Sequence, residues 1–592
     1  MKLSVLALDY DGTIAADRGV DAEVRRAIAE ARTNGITVLL VTGRILSELR
    51  RVAGDLHFVD GVVAENGGVV HFAGSEHTSV LAPRLVESLV TGLAKEQLSF
   101  QTGECLIDAD AADGQRLLSV IRGLELPYVL VFNRGRVMVM PQGVSKATGL
   151  QTALDMLRLS PRNTVAIGDA ENDHELLRLA ELGAAVKWGS KALQAVADTV
   201  VLGEGPRDTA TYIRAMAAAD HLPLPARARR YLRLGHTEDG REFSLAVKGR
   251  NVLVAGDAKS GKSWIAGLLC EQLILHGYCV CVLDPEGDYR SLEALPGVTI
   301  LGGEDPPPTP RELLRALRYP DRSVVIDLSR LPQDEKIAYI RAALPAVNHM
   351  RRRTGLPHRI LLDEAHYFLH DAEAQHLLDL ERNGYTVVTF CASRLPPKLL
   401  AATEVMIVTC ESNQEELDAL YRRCQTCQTQ VDDAAWRKLL CHVGVGQAVA
   451  LPITEEAGGE LRLFNIGQRL TPHVRHREKY VDVPVTEQKG FLFTAPAPPA
   501  RARTLREFVA VLEAQPVDRL KGHLQRSDFS RWIGEVFGDR ALAAEIGEQE
   551  QRFVSGIDRD TIPEIVSAIR GRYDLTDDEE GPRAEAVSTR AA

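Results

Sequence analysis

Eight residues near the middle of the chain, Gly256-Asp257-Ala258-Lys259-Ser260-Gly261-Lys262-Ser263, constrain its folding more than any other stretch. They follow a short apolar run, Val252 to Ala255, and precede a helical pattern from Trp264 to Leu275. Strand, glycine-bounded turn and helix in that order are the setting in which this spacing binds a nucleoside triphosphate. The glycines let backbone N–H groups turn inward on a phosphate, and the helix adds the positive end of its dipole. Lys262 is expected to reach the β- and γ-phosphates of ATP, and Ser263 to hold Mg²⁺. The middle of the chain is therefore expected to be an α/β nucleotide-binding domain.

At 592 residues the chain exceeds what one core serves, and length suggests three or four domains. Apolar residues at 45% and charged residues at 26% are ordinary for a soluble globular protein. A net charge of −11 argues against a surface coated for nucleic acid, although a basic pore inside an acidic assembly stays open. Nine cysteines without a regular framework fit a reducing cytoplasm. Asp9 and Asp11 interrupt the apolar start too early for a signal peptide, and no uncharged stretch has membrane-spanning length. A cytoplasmic protein without a membrane partner is expected.

The first two hundred residues place acidic or hydroxyl groups after three apolar runs. Leu3 to Leu8 ends in Asp9-Tyr10-Asp11-Gly12-Thr13, Thr37 to Val41 ends in Thr42-Gly43-Arg44, and Thr164 to Ile167 ends in Gly168-Asp169-Ala170-Glu171-Asn172-Asp173. Lys146 stands in a polar turn before a helical pattern. Oxygen ligands together with a phosphate suit Mg²⁺. These pieces resemble the haloacid dehalogenase (HAD) phosphohydrolases over about residues 1–215. That resemblance implies a Rossmann-like domain in which Asp9 is the nucleophile and Asp11 the general acid and base. Thr42, Gly43, Lys146 and Asn172 would hold the phosphoryl group, and Asp9, Asp11, Asp169 and Asp173 would serve the metal site. Glu65-Asn66-Gly67 is similar to an element of the Cof-like, type IIB members. It implies a small α/β cap, about residues 80–142, that selects a small phosphorylated, sugar-phosphate-like substrate. The HAD-like unit is expected over 1–218 and a linker over 219–245.

Beyond the glycine-rich turn, Tyr278 to Leu283 ends in Asp284-Pro285-Glu286-Gly287-Asp288-Tyr289, and Arg359 to Leu362 ends in Asp363-Glu364-Ala365-His366. Asp363 would support Mg²⁺ and Glu364 would polarise the attacking water. Together these runs resemble the HerA/FtsK class of ATPases, with a RecA-like domain over about 246–470. Members of that class are hexameric DNA motors, which implies a homo-oligomer, with a hexamer as one form, and DNA as a partner that the net charge does not indicate. Where the class carries a polar sensor, often Gln, this chain offers Ser393. Cys424, Cys427, Cys441 and His442 invite a zinc reading, but the adjacent pair cannot easily ligate together, and reduced thiols are expected instead.

A connector over 471–500, a small helical domain over 501–575 and a disordered tail over 576–592 complete the expectation. Three functions stay open at this level. They are a phosphatase that its ATPase assembles or regulates, a DNA-responsive motor carrying the phosphatase as effector, and a nucleotide-gated scaffold.

Overall fold

The computed structural model describes residues 2–16, 19–219, 222, 230–247, 250–257, 260–370, 376–425, 433–452, 462–472, 490–494, 500–537, 539–556 and 560–573. Two large sheets organise the chain. In the first, the strands run in the order Thr199–Val201, Leu182–Val186, Thr164–Gly168, Val5–Asp9, Thr37–Val41, Gly61–Ala64, Val69–Phe72 and His77–Val80. The first six are parallel and the last two return antiparallel. Val5–Asp9 sits inside this sheet with helices on both faces, so both sides of it must be apolar. Val5 and Ala7 pack into one core cluster and Leu6 and Leu8 into the other.

The cap is a second, four-stranded antiparallel sheet with Arg136–Pro141 between Tyr128–Asn133 and Ile107–Asp110, and Phe100–Thr102 at the edge. The run from Ser99 to Ile107, which reads as one strand in the sequence, breaks into two because Gly103 and the residues after it turn against Glu65. Side-chain alternation divides the strand Arg136–Pro141. Val137 and Val139 face the helices Glu87–Lys95 and Gly114–Gly123, while Met138 and Met140 pack with Ile45 of the first sheet's domain.

The second large sheet has eleven strands. Seven are parallel, in the order Val405–Val408, Val252–Ala255, Tyr385–Thr389, Arg359–Leu362, Val280–Asp284, Ser323–Asp327 and Val298–Gly302. Four antiparallel strands extend it beyond Val405–Val408. Two of these, Tyr231–Thr237 and Glu242–Ala246, lie within the stretch expected as a linker. Leu232, Leu234 and Phe243 are buried in the sheet's core, which draws those residues into it. Similarly, Phe491–Phe493 pairs with Ala500–Ala502, and their aromatic rings join the core of the C-terminal helices, so the helical unit begins before residue 501. The rest of the expected connector, 473–489 and 495–499, and the tail lie outside the described residues.

The two large sheets meet through the amino ends of their strands. Asn163, just before Thr164, accepts a hydrogen bond at Oδ1 from His358, just before Arg359, at 3.0 Å. Cys279 N–H donates to the other ring nitrogen, Nδ1, at 2.7 Å, which fixes His358 as the neutral Nε2–H tautomer. Glu181, just before Leu182, accepts from the Tyr278 hydroxyl at 3.0 Å and pairs with Arg230 at 3.3 Å. Burial, reinforced by the Arg162 charge, depresses the His358 pKa well below the ordinary 6.5. Since the folded state refuses a proton that the unfolded chain accepts, the contribution of His358 is full above about pH 6.5 and is lost as pH falls.

His358→Phe leaves Cys279 N–H and Asn163 Oδ1 without this partner. It is expected to destabilise the chain by about 2–4 kcal/mol at pH 8, because each orphaned group costs about 1–3 kcal/mol. Urea unfolding checks this, and the difference between wild type and variant should shrink towards pH 5.

Candidate active sites

Asp9 ends its strand at the carboxyl edge of the first sheet, where the neighbouring strand delivers Asp169 and Asp173. All three are buried. Lys146 opens the helix Lys146–Leu157, held in place by a capping box at Ser145 and Thr148, and its ammonium enters between the acids. Nζ lies 2.6 Å from Asp9 Oδ1 and 2.7 Å from Asp173 Oδ1. The second Asp173 oxygen accepts from the backbone N–H groups of Asp169 and Ala170 at 3.0 Å each. The Thr13 hydroxyl donates to Asp9 at 3.1 Å. Burial raises the Asp9 pKa to about 7, and the Asp173 charge adds to this while Lys146 opposes it. Burial alone would lower the Lys146 pKa, but Asp173 and Asp9 overcome it and raise it.

Asp9, Asp169 and Asp173 each offer an oxygen within 4.8 Å of the others. A set of converging carboxylate oxygens fits a hard cation such as Mg²⁺. Asp11, expected in the metal site too, is not in this group. Arg44 takes both of its oxygens, at 2.7 and 2.8 Å. Thr42 is buried and its hydroxyl accepts from Arg44 N–H, while Asn172 donates to Asn66. Gly12, with φ +79°, allows the close passage of the chain: a Cβ there would stand 2.4 Å from Asp169 Oδ2.

The cap closes over this edge. The Glu65 carboxylate accepts from the backbone of Glu104 and Cys105 at 3.0 and 2.9 Å, which ties the cap to the strand beneath. Arg134, at the tip of the hairpin Tyr128–Pro141, reaches down to pair with Asp169. Sequence reading gave neither Arg134 nor Arg44 a role. Arg44 lay in a noted run, but only the bend of the cap brings Arg134, 35 residues away, to the metal-site acid.

The second site also lies at carboxyl ends of parallel strands. Gly256 (φ +145°) leaves no room for a Cβ, which would stand 2.2 Å from the Thr409 hydroxyl. Gly261 (φ +106°) starts the helix Lys262–Leu275. Lys262 Nζ donates to Asp257 O at 2.8 Å, and Ser260 Oγ to the same oxygen at 2.6 Å. Ala258 and Lys259 lie outside the described residues. The Ser263 hydroxyl donates to Asp288, which lies in the run 284–289 but had no expected role. Asp284 positions it by accepting from the N–H groups of Glu286, Gly287, Asp288 and Tyr289 at 2.7 to 3.2 Å. Two strands from the glycine-rich turn, Asp363 is buried and Glu364 follows with φ 44°. The Glu364 carboxylate is 3.6 Å from His366, whose ring also meets Thr389 at 3.1 Å and the Phe390 ring, which lies 6.0 Å from the Lys262 ammonium. Ser393 is engaged by Glu416, donating from both N and Oγ at 2.8 and 2.6 Å. Cys441 is half-buried, whereas the Cys424 side chain and Cys427 lie outside the described part.

Comparisons with known proteins agree with this division. Residues 6–105 and 103–204 match the family of haloacid dehalogenase-like hydrolases, and residues 246–346 match the central domain of helicase HerA. A phosphoglycolate phosphatase of Methanopyrus kandleri is 30% identical over 228 residues, which is 36% of this chain and 96% of that protein. One from Aeropyrum pernix is 30% identical over 233 residues, 37% of this chain and 95% of the other. A haloacid dehalogenase-like hydrolase structure from Bacteroides thetaiotaomicron aligns at 18% identity with a TM-score of 0.33, covering 36% of this chain and all of that one. The chain belongs to the haloacid dehalogenase-like hydrolases through its N-terminal third, and joins to that hydrolase a HerA-type ATPase domain. No helix among the described residues is long and apolar enough to cross a membrane.

Lys146→Met leaves Asp9 and Asp173 buried without their shared cation. In chelator it is expected to destabilise this domain by about 3–5 kcal/mol. Thermal unfolding should show millimolar Mg²⁺ restoring part of the loss, because a cation bound only by the folded state stabilises it. A variant as stable as wild type in chelator contradicts the shared-cation geometry.

Proposed function

We propose that the chain is a bifunctional hydrolase. Its N-terminal site is a phosphatase that acts through an aspartyl-phosphate on a small, sugar-phosphate-like metabolite, and its ATPase domain assembles or regulates that activity. The observation that carries the reading is Lys146 held between Asp9 and Asp173 at a carboxyl edge roofed by a cap.

In this scheme the Asp9 carboxylate attacks phosphorus, the bond to the leaving oxygen breaks, and Asp11 delivers the proton that oxygen needs. Asp11 then takes a proton from water, which attacks the acyl phosphate at phosphorus, releasing inorganic phosphate and restoring Asp9. Arg44 positions Asp11, and one of its two contacts must open for Asp11 to carry the proton, since a guanidinium on both oxygens favours the carboxylate. Lys146, Thr42, Gly43 and Asn172 hold the phosphoryl oxygens. Asp9, Asp169 and Asp173 would hold Mg²⁺, which would supply positive charge to offset the repulsion between nucleophile and phosphate. The cap excludes water from the first step. At the second site Lys262 binds the ATP phosphates, Ser263 and Asp363 serve Mg²⁺, and Glu364, oriented by His366, polarises water. A homo-oligomer follows the HerA-type domain, with a hexamer as one form.

The match to the central domain of helicase HerA favours a second reading, a DNA-translocating or DNA-sensing motor with the phosphatase as effector. One experiment separates the two. Asp9→Asn is expected to lower hydrolysis of phosphate monoesters by at least ~10³-fold, as loss of a nucleophile does, and to leave ATP hydrolysis in place. Lys262→Ala should do the reverse for ATP. Duplex DNA that accelerates the Lys262-dependent rate would support the motor; a rate indifferent to DNA supports the metabolic reading.

A further inference from the structure

We infer that Arg134 is a specificity-determining residue of the phosphatase site, whose guanidinium receives a second negative charge on the substrate, beside the phosphate that is removed. The substrate class is then a small phosphorylated acid. This rests on the phosphatase reading above and replaces its sugar-phosphate-like substrate with an acidic one.

Three observations point to it. The first is position. Arg134 occupies the tip of the cap hairpin with φ 52°, a left-handed conformation that a non-glycine residue adopts at a cost, and its side chain crosses from the cap to Asp169 of the domain beneath. Side chains on the solvent face of a hairpin turn need no such reach. The second is space. Met138 of the same hairpin packs so close to the loop below that a Cβ on Gly43 would stand 3.2 Å from its sulfur and 3.5 Å from the Asn172 amide. The hairpin that carries Arg134 therefore lies close against the loop of Gly43 and Asn172, the residues expected to hold the phosphoryl group.

The third is charge. Asp9, Asp11, Asp169 and Asp173 face Lys146 and Arg44, and each of those two cations is already engaged by two carboxylates: Lys146 by Asp9 and Asp173, Arg44 by Asp11 and Glu48. An additional substrate carboxylate entering this edge would meet net negative charge. Arg134 is the cation the cap brings to it. Its partner Asp169 belongs to the group that fits a divalent cation, and the guanidinium side chain remains 55% exposed. A planar fork of donors matches a carboxylate in bidentate geometry, which an ammonium would not. A neutral-tailed ester gives the fork nothing to bind.

The test compares 2-phosphoglycolate, which carries a carboxylate, with p-nitrophenyl phosphate, which does not, in the full-length wild type, Arg134→Gln and Arg134→Lys. Charge-assisted hydrogen bonds of this kind are worth ~10- to 100-fold. The ratio of kcat/KM for 2-phosphoglycolate over p-nitrophenyl phosphate is expected to fall by that factor in Arg134→Gln, chiefly through KM, with Arg134→Lys between the two. Calorimetric binding of 2-phosphoglycolate to Asp9→Asn, with and without Arg134→Gln, gives the same comparison without turnover, and thermal unfolding checks that the variants fold. An unchanged ratio, including an equal loss on both esters, would overturn the inference and leave the phosphatase reading standing, with Arg134 serving only to hold the cap. Wild type that hydrolyses neither ester, nor any other phosphate monoester, would sink the phosphatase reading itself.

Discussion

Charge taken out of water must be paired, and the carboxyl edge of a parallel sheet is where this chain can pair it. Asp9, Asp169 and Asp173 are delivered to one edge because adjacent strands run the same way and end together. Their mutual repulsion would be severe without Lys146, which the capped helix inserts between them. The position of that helix, the closeness of the cap and the reach of Arg134 all follow from the need to surround this group. The second sheet repeats the logic with different parts. Its glycine-rich turn, Asp288, Asp363 and Glu364 come from strands that also end at a common edge.

The sheets meet at their amino ends, so the two sites face apart. Each strand of about five residues spans ~16 Å, which places the sites tens of ångströms from each other, with Glu181, Asn163, Tyr278 and His358 between them. A product released at one site does not pass directly into the other. Thr164–Gly168 leads from the Asn163 contact to Asp169, and Arg359–Leu362 leads from His358 to Asp363.

Much of the catalytic apparatus is local in sequence. A carboxylate one residue past an apolar run must appear at a strand's end, and a glycine-lysine turn before a helix must present its N–H groups together. Lys262 and Asp363 could be named on that basis, and Asp9, Lys146, Asp169 and Asp173 through the resemblance of their runs to the haloacid dehalogenase hydrolases. Asp11 was expected beside the metal from its spacing to Asp9, and that spacing says nothing of Arg44, which takes both of its oxygens. The residues near 231–245 and 491–500 read as linker and connector because strands this short carry little periodicity. They became sheet edge and helical core only when distant strands and aromatic rings covered their apolar side.

The sequence by itself determined the two chemistries, since strand, turn and helix motifs depend on neighbours within a few residues. Tertiary structure alone decided which charges meet: Arg134 with Asp169, Arg44 with Asp11, Ser263 with Asp288, and His358 with Asn163. Those pairs join residues far apart along the chain, and no local pattern records them. They exist because burial forces each polar group to find a partner wherever the packed chain places one.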